Sequence, residues 1–138
     1  MQPSPIKKSD LFTVRSGLPG DLNFILATWL RGLRYGNPLF TEIDKDAYFS
    51  VYHKVIENIL NHSRVKVACL KDDQDVILGY SVIQADKVHW VHVKSEWRKI
   101  GIARSLLTEK FNVVTHLTTL GLQILKQRCP SVKFNPFI

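Results

Sequence analysis

Apolar residues recur along this chain with two different spacings, and the changes between them mark out its elements. Leu22, Ile25, Leu26, Trp29, Leu30 and Leu33 fall three or four residues apart, which places them on one face of a helix. Tyr48, Phe49, Tyr52, Val55, Ile56, Ile59 and Leu60 repeat that pattern over residues 46–62. Phe12-Thr13-Val14-Arg15 alternates instead and predicts a short strand. Residues 65–70, 77–85 and 88–93 are short apolar runs separated by Asp72-Asp73-Gln74-Asp75 and Asp86-Lys87, the signature of a strand meander. Gly17-Leu18-Pro19-Gly20-Asp21 ends the first strand, with Asp21 the expected cap of the first helix. Tyr35-Gly36-Asn37-Pro38 is turn chemistry between the two helices.

A third helix is expected over residues 101–110, a strand over 113–117 and a last helix over 119–127, stopped at Cys129-Pro130. Residues 132–138 predict a terminal strand, which Pro136 confines to an edge or to its end. The expected order is β-α-α-β-β-β-α-β-α-β, an α/β (α+β) fold with a mixed, mostly antiparallel central sheet flanked by helices. Residues 1–10 form a polar, Pro-containing tail ahead of a single domain over 11–138.

A hydrophobic content of 45% can supply a core for one domain. Cys69 and Cys129 show neither metal-ligand spacing nor a disulfide framework, so a reduced, cytoplasmic setting is the default. The first residues lack the apolar stretch of a secretory leader, and no run approaches the ~18 apolar residues of a membrane span. The net charge is +7, and it is unevenly placed. From Lys94 onward, eight Lys and Arg face only Glu96 and Glu109, which suggests an anionic ligand or partner on this half.

The segment from Val91 to Leu107 gives that anion a place. It reads as a strand, a basic turn containing Gly101, and the first turns of a helix. Backbone N–H groups at such a helix start, with a dipole of about half a positive charge, bind phosphate. Gly101 lets the backbone approach a ligand without a Cβ, Ala103 keeps the next turn small, and Arg98, Lys99 and Arg104 add charge.

The hexamer Arg98-Lys99-Ile100-Gly101-Ile102-Ala103 resembles the pyrophosphate motif Arg/Gln-x-x-Gly-x-Gly/Ala of the GNAT superfamily, the acyl-CoA-dependent N-acetyltransferases. Glu96-Trp97 before it, Arg104-Ser105-Leu106-Leu107 after it, and Ile77-Leu78-Gly79-Tyr80 upstream fit the same pattern. The resemblance spans residues 12–128 and extends, more loosely, to small phage-encoded relatives. It implies acetyl-CoA as donor. The diphosphate would lie on the backbone and side chains of Arg98, Lys99, Ile100, Gly101, Ile102, Ala103 and Arg104. The backbone of Val91, His92 and Val93 would pair with the pantetheine amides and hold the oxyanion.

The resemblance also places a base near His89, whose ordinary pKa of ~6.5 suits the task. His89 and His92 stand at odd separation and face opposite sides of a regular strand, so no metal pair is expected unless a bulge intervenes. His53, His62 and His116 have no readable partner. The last helix lacks the Tyr that many relatives use as acid. The first two helices and their connection would form the acceptor cleft, with Trp29, Arg34 and Tyr35 as substrate-binding residues. Arg31, Asn37 and Phe40 accompany them.

The function expected is acetyl transfer from acetyl-CoA to an amine on a small molecule or protein. Two alternatives differ in kind. One is an acyl-CoA-dependent modifier of nucleic acid, which the charge motivates. The other is a non-catalytic CoA- or protein-binding module. No membrane partner is expected. The end at Ile138 raises the expectation of a homodimer in which a second chain completes the sheet.

Overall fold

The computed structural model of the chain describes residues 6–137. Strand β1 (Phe12–Ser16) leads to helices α1 (Leu22–Gly36), α2 (Pro38–Thr41) and α3 (Lys45–Asn61). Strands β2 (Arg64–Leu70), β3 (Ile77–Gln84) and β4 (Lys87–Val93) form the meander. Then come α4 (Ile102–Leu106), β5 (Val113–Val114), α5 (Thr119–Arg128) and β6 (Lys133–Phe134). The sheet runs β1-β2-β3-β4-β5-β6, antiparallel through β4 and parallel from β4 to β6. The predicted class and order hold, with one short helix added where a turn was expected. There Asn37 Oδ1 accepts from the Leu39 amide at 3.0 Å and caps α2.

Each face of the sheet is covered. Ile25, Trp29 and Leu33 of α1 and Tyr48 and Ile56 of α3 pack on Val67, Tyr80, Val82 and Trp90. On the opposite face Ile102 and Leu106 of α4 cover Ala68 and Leu78, and Leu125 of α5 covers Ile83, Val88 and Val114. Side chains of this size contribute roughly 1.5–3 kcal/mol each on full burial. β3 is the central strand, buried from Ile77 through Ile83. Its Gly79 is required by close approach, because a Cβ there would lie 2.6 Å from the His92 carbonyl oxygen.

Several expectations are corrected. Asp21 does not cap α1, because both its carboxylate oxygens are taken. Arg15 donates to them at 2.7 and 3.0 Å, and the Leu18 amide donates at 2.7 Å. The third helix stops at Leu106 rather than running over 101–110. Beyond it, Glu109 pairs with Arg64, and Lys66 Nζ donates to Thr108 Oγ1 at 2.9 Å, which ties this stretch to β2. β5 holds two residues rather than five and β6 two rather than seven, Ile138 lying outside the described residues. Of the expected tail, residues 1–5 also lie outside them. Lys8–Asp10 is a single 3₁₀ turn whose Lys8 Nζ donates to the Glu96 carbonyl at 2.7 Å and lies 5.0 Å from the Trp97 ring.

A bulge does intervene in β4. Val82 pairs with Trp90 but Ile83 with Val88, so His89 is an extra residue in the strand. Bulges bend a strand and interrupt its ladder. Here β5 pairs with β4 only at Lys87 and Val88, and the Thr115 amide donating to the Val88 carbonyl at 3.0 Å is the last rung.

Candidate acyl-CoA site

Past that last rung, β4 and β5 diverge. From His89 to Val93 the edge of β4 away from β3 has no strand partner among the described residues. This free edge leads into the basic turn. Val91 and Val93 direct their side chains into the cores around α5 and α4, so only their backbone faces the opening.

The turn is built to expose backbone. Ile102 is buried against Ala68 and Leu78, and Ile100 and Trp97 pack around it. These apolar anchors leave Lys99, Gly101, Ala103 and Arg104 exposed. Lys99 (φ 67°) and Gly101 (φ 95°) both adopt left-handed backbone. A left-handed lysine is strained by about 1–2 kcal/mol, and such residues cluster at functional sites. A Cβ built at Gly101 meets nothing within 4 Å, so the space above it is open.

Ile100 closes the turn over Arg98–Lys99, and among the described residues the backbone N–H groups of Lys99, Gly101, Ile102, Ala103 and Arg104 have no acceptor within the chain. The first helical bond of the segment is Ser105 N–H to the Gly101 carbonyl at 3.0 Å. The four consecutive unpaired donors from Gly101 to Arg104 are the kind of backbone array that suits an anion. α4 has only five residues, so these amides matter more than a helix dipole. None of Lys94, Arg98, Lys99 or Arg104 pairs with a carboxylate among the described residues, whereas Arg15, Arg64 and Lys66 do. Arg98 Nε donates to the Val93 carbonyl at 3.2 Å and so folds its guanidinium back over the strand end.

The predicted base, His89, lies at the end of the free β4 edge with its ring buried. His89 is 3% exposed, and both ring nitrogens are engaged, with Thr115 Oγ1 at 2.8 Å and Gln84 Oε1 at 3.0 Å. A base must reach its proton, and this ring reaches only protein. Thr115 in turn contacts His116 Nδ1 at 2.9 Å. Sequence reading missed Thr115 and His116, because their partner is decided by where β5 leaves β4. His92 lies between Phe24 (6.3 Å) and Tyr80 (5.4 Å), with no hydrogen bond to its ring among the described residues. Burial lowers the pKa of His89, His92 and His116, the last to about 4.

The three expected acceptor residues separate. Trp29 is fully buried, stacked on Trp90 at 5.8 Å, and is a core residue rather than a ligand contact. Tyr35 is 64% exposed. Arg34 is buried, yet it has no carboxylate partner among the described residues. Its Nη1 donates to the Phe40 carbonyl at 3.0 Å, its Nε has no acceptor, and the guanidinium lies 5.2 Å from the Tyr48 ring. Among the described residues no helix is long and apolar enough to cross a membrane, and no group of three metal-ligating side chains occurs.

This sheet, with its free strand edge running into an amide-lined turn, is the GNAT fold. An acetyl transferase provisionally assigned in Pyrococcus furiosus superposes with a TM-score of 0.56 at 17% identity, covering 89% of this chain and 79% of that one. A possible acetyltransferase of Clostridium difficile 630 gives 0.50 at 14%, covering 93% and 80%. The apo form of YjaB from Escherichia coli gives 0.51 at 14%, covering 71% of this chain and 63% of YjaB. At these identities the likeness is one of fold. No family model and no curated protein matches the chain.

Proposed function

We propose that the chain transfers an acyl group from an acyl-CoA thioester, with acetyl-CoA as donor, to an amine. The row of unpaired amides from Gly101 to Arg104, at the end of an unpaired strand edge, carries this reading. A diphosphate suits the row, since it accepts several N–H bonds at once and the turn carries three cations, Arg98, Lys99 and Arg104, that lack carboxylate partners among the described residues. The amides of a pantetheine arm suit the edge, because an extended chain pairs with it as an added strand would. A β4 N–H on that edge then lies where it stabilises the oxyanion. The diphosphate would also absorb the charge surplus around the turn, and no separate observation favours nucleic acid.

Arg34 supports a finer reading of the acceptor. A buried guanidinium without a counter-ion is costly, and an anionic group on the incoming amine would supply one. The acceptor proposed is therefore an amine that also carries a carboxylate or phosphate.

Titration calorimetry with acetyl-CoA tests the donor. One-to-one binding is expected, and S-acetyl-pantetheine, which lacks the diphosphate, should bind at least tenfold more weakly. Equal affinity for the two would remove the turn from the site. No heat with acetyl-CoA at millimolar concentration would end the proposal.

A further inference from the structure

We infer that His116 takes the proton from the acceptor amine, with Thr115 and His89 as positioning residues. This rests on the acyl-transfer reading above. Four polar side chains form a line across the gap between β4 and β5, and the line has a direction. The Gln84 carbonyl oxygen can only accept, so His89 Nε2 carries a proton and donates across 3.0 Å. A neutral imidazole then offers Nδ1 as a lone pair, which accepts the Thr115 hydroxyl proton across 2.8 Å. With its proton given, Thr115 Oγ1 accepts from His116 Nδ1–H across 2.9 Å. His116 is thereby held in one tautomer, with Nε2 bare. Among the described residues Nε2 has no hydrogen-bond partner, and it is not one of the buried unpaired atoms. Trp29 at 5.9 Å and Tyr52 at 6.5 Å hold the ring edge-on, fixing its orientation.

The position suits the chemistry. Thr115 makes the last rung to β4, and His116 is the first residue beyond it. The free edge from Val93 back to His89 leads from the diphosphate turn toward this point. At ~3.3 Å per residue it is roughly the reach of an extended pantetheine arm. A thioester laid along it presents its carbonyl carbon beside His116. The amine nitrogen attacks that carbon, and the new C–N bond makes the nitrogen an ammonium. His116 Nε2 accepts one of its protons. The C–S bond then breaks with its electron pair on sulfur, and the imidazolium returns its proton to the thiolate or to water.

Two measurements test this on the full chain. In long-range ¹H–¹⁵N spectra of histidine-labelled protein, His116 is expected as the Nδ1–H tautomer and His89 as the Nε2–H tautomer. Thr115→Val should return His116 to the Nε2–H form. The opposite pair of tautomers in the unmodified chain would overturn the inference. The second measurement is thiol release from acetyl-CoA with L-lysine, spermidine and glucosamine as probe amines. His116→Gln should lower kcat by about 100-fold, a usual range for a lost general base, while calorimetric acetyl-CoA affinity stays within twofold. Millimolar imidazole should restore part of the turnover of His116→Gly. Thr115→Val should lower kcat about tenfold with KM for acetyl-CoA unchanged, and Thr115→Ser should recover it. Unmodified turnover in His116→Gln, with acetyl-CoA still bound, overturns the role of His116 alone. A chain that does not bind acetyl-CoA, or binds it and releases no thiol with any probe, overturns the transferase reading as well.

Discussion

The Thr115 hydroxyl lies 2.8 Å from Nδ1 of His89 and bridges β5 to β4 where their backbone pairing ends. Both residues are buried, so neither partner has water as a substitute. Thr115→Val keeps the shape and removes the hydroxyl. A loss of about 1–3 kcal/mol is expected from the unpaired imidazole it leaves, and Thr115→Ser should cost less than ~1 kcal/mol. Urea unfolding of the two variants checks the difference; equal midpoints for valine and parent would show that the bridge does not stabilise the fold.

Acid should weaken the fold in a defined window. Burial lowers the pKa of His89, His92 and His116 below the ordinary value, so the unfolded chain binds protons first as pH falls. Stability from these groups is full above about pH 6.5 and declines toward pH 4, where His116 charges in the fold, by no more than about 3 kcal/mol for that residue. Asp21, whose carboxyl Arg15 holds below its usual range, acts only at lower pH: its contribution is present above ~4 and lost beneath it. Unfolding midpoints at pH 7.5, 6, 5 and 4 should therefore fall steadily, and the His116→Gln variant should show a shallower slope.

Gly101→Glu should abolish acetyl-CoA binding. The new side chain points into open space, so the cost to the fold is the left-handed backbone alone, about 1–2 kcal/mol. Its carboxylate lies among the free amides and repels the diphosphate. Calorimetry and a thermal melt separate the two effects; intact binding in a folded variant would count against the turn as the phosphate site.

Lys99→Gly relieves the other left-handed residue. A gain of about 1 kcal/mol is expected, seen as a Tm higher by a few degrees. The same change removes a cation, so acetyl-CoA affinity should fall and become less sensitive to salt. A lower Tm would mean that the lysine side chain stabilises the turn more than its backbone strains it.

Arg34→Met removes a buried charge that has no counter-ion among the described residues. Stability should be unchanged or higher by about 1 kcal/mol, since a hydrophobic replacement avoids the desolvation penalty. If the acceptor carries an anion, the preference for L-lysine over its carboxamide should disappear in this variant. A preference that survives would place Arg34 in the structure and outside recognition.

The elements were readable because each is governed by local periodicity. The helix over 46–62 and the strands over 77–85 and 88–93 emerged within one or two residues of Lys45–Asn61, Ile77–Gln84 and Lys87–Val93. The turn at Gly101 was readable for a similar reason: glycine and small residues between cations report a backbone demand that needs no distant partner. The ends were less legible. α4 ends at Leu106, and the residues after it contact Arg64 and Lys66, some forty residues away, a pairing that nothing near residue 107 announces.

What the sequence by itself determined is the order of elements and the two apolar faces, since both follow from spacing along the chain. The tertiary structure decided which partners His89 and His116 find. One extra residue in β4 set His89 at a bulge, where Thr115 bonds to it and His116 bonds to Thr115. Such an outcome depends on the register between two strands twenty-odd residues apart, and a pattern that extends only along one strand does not contain it.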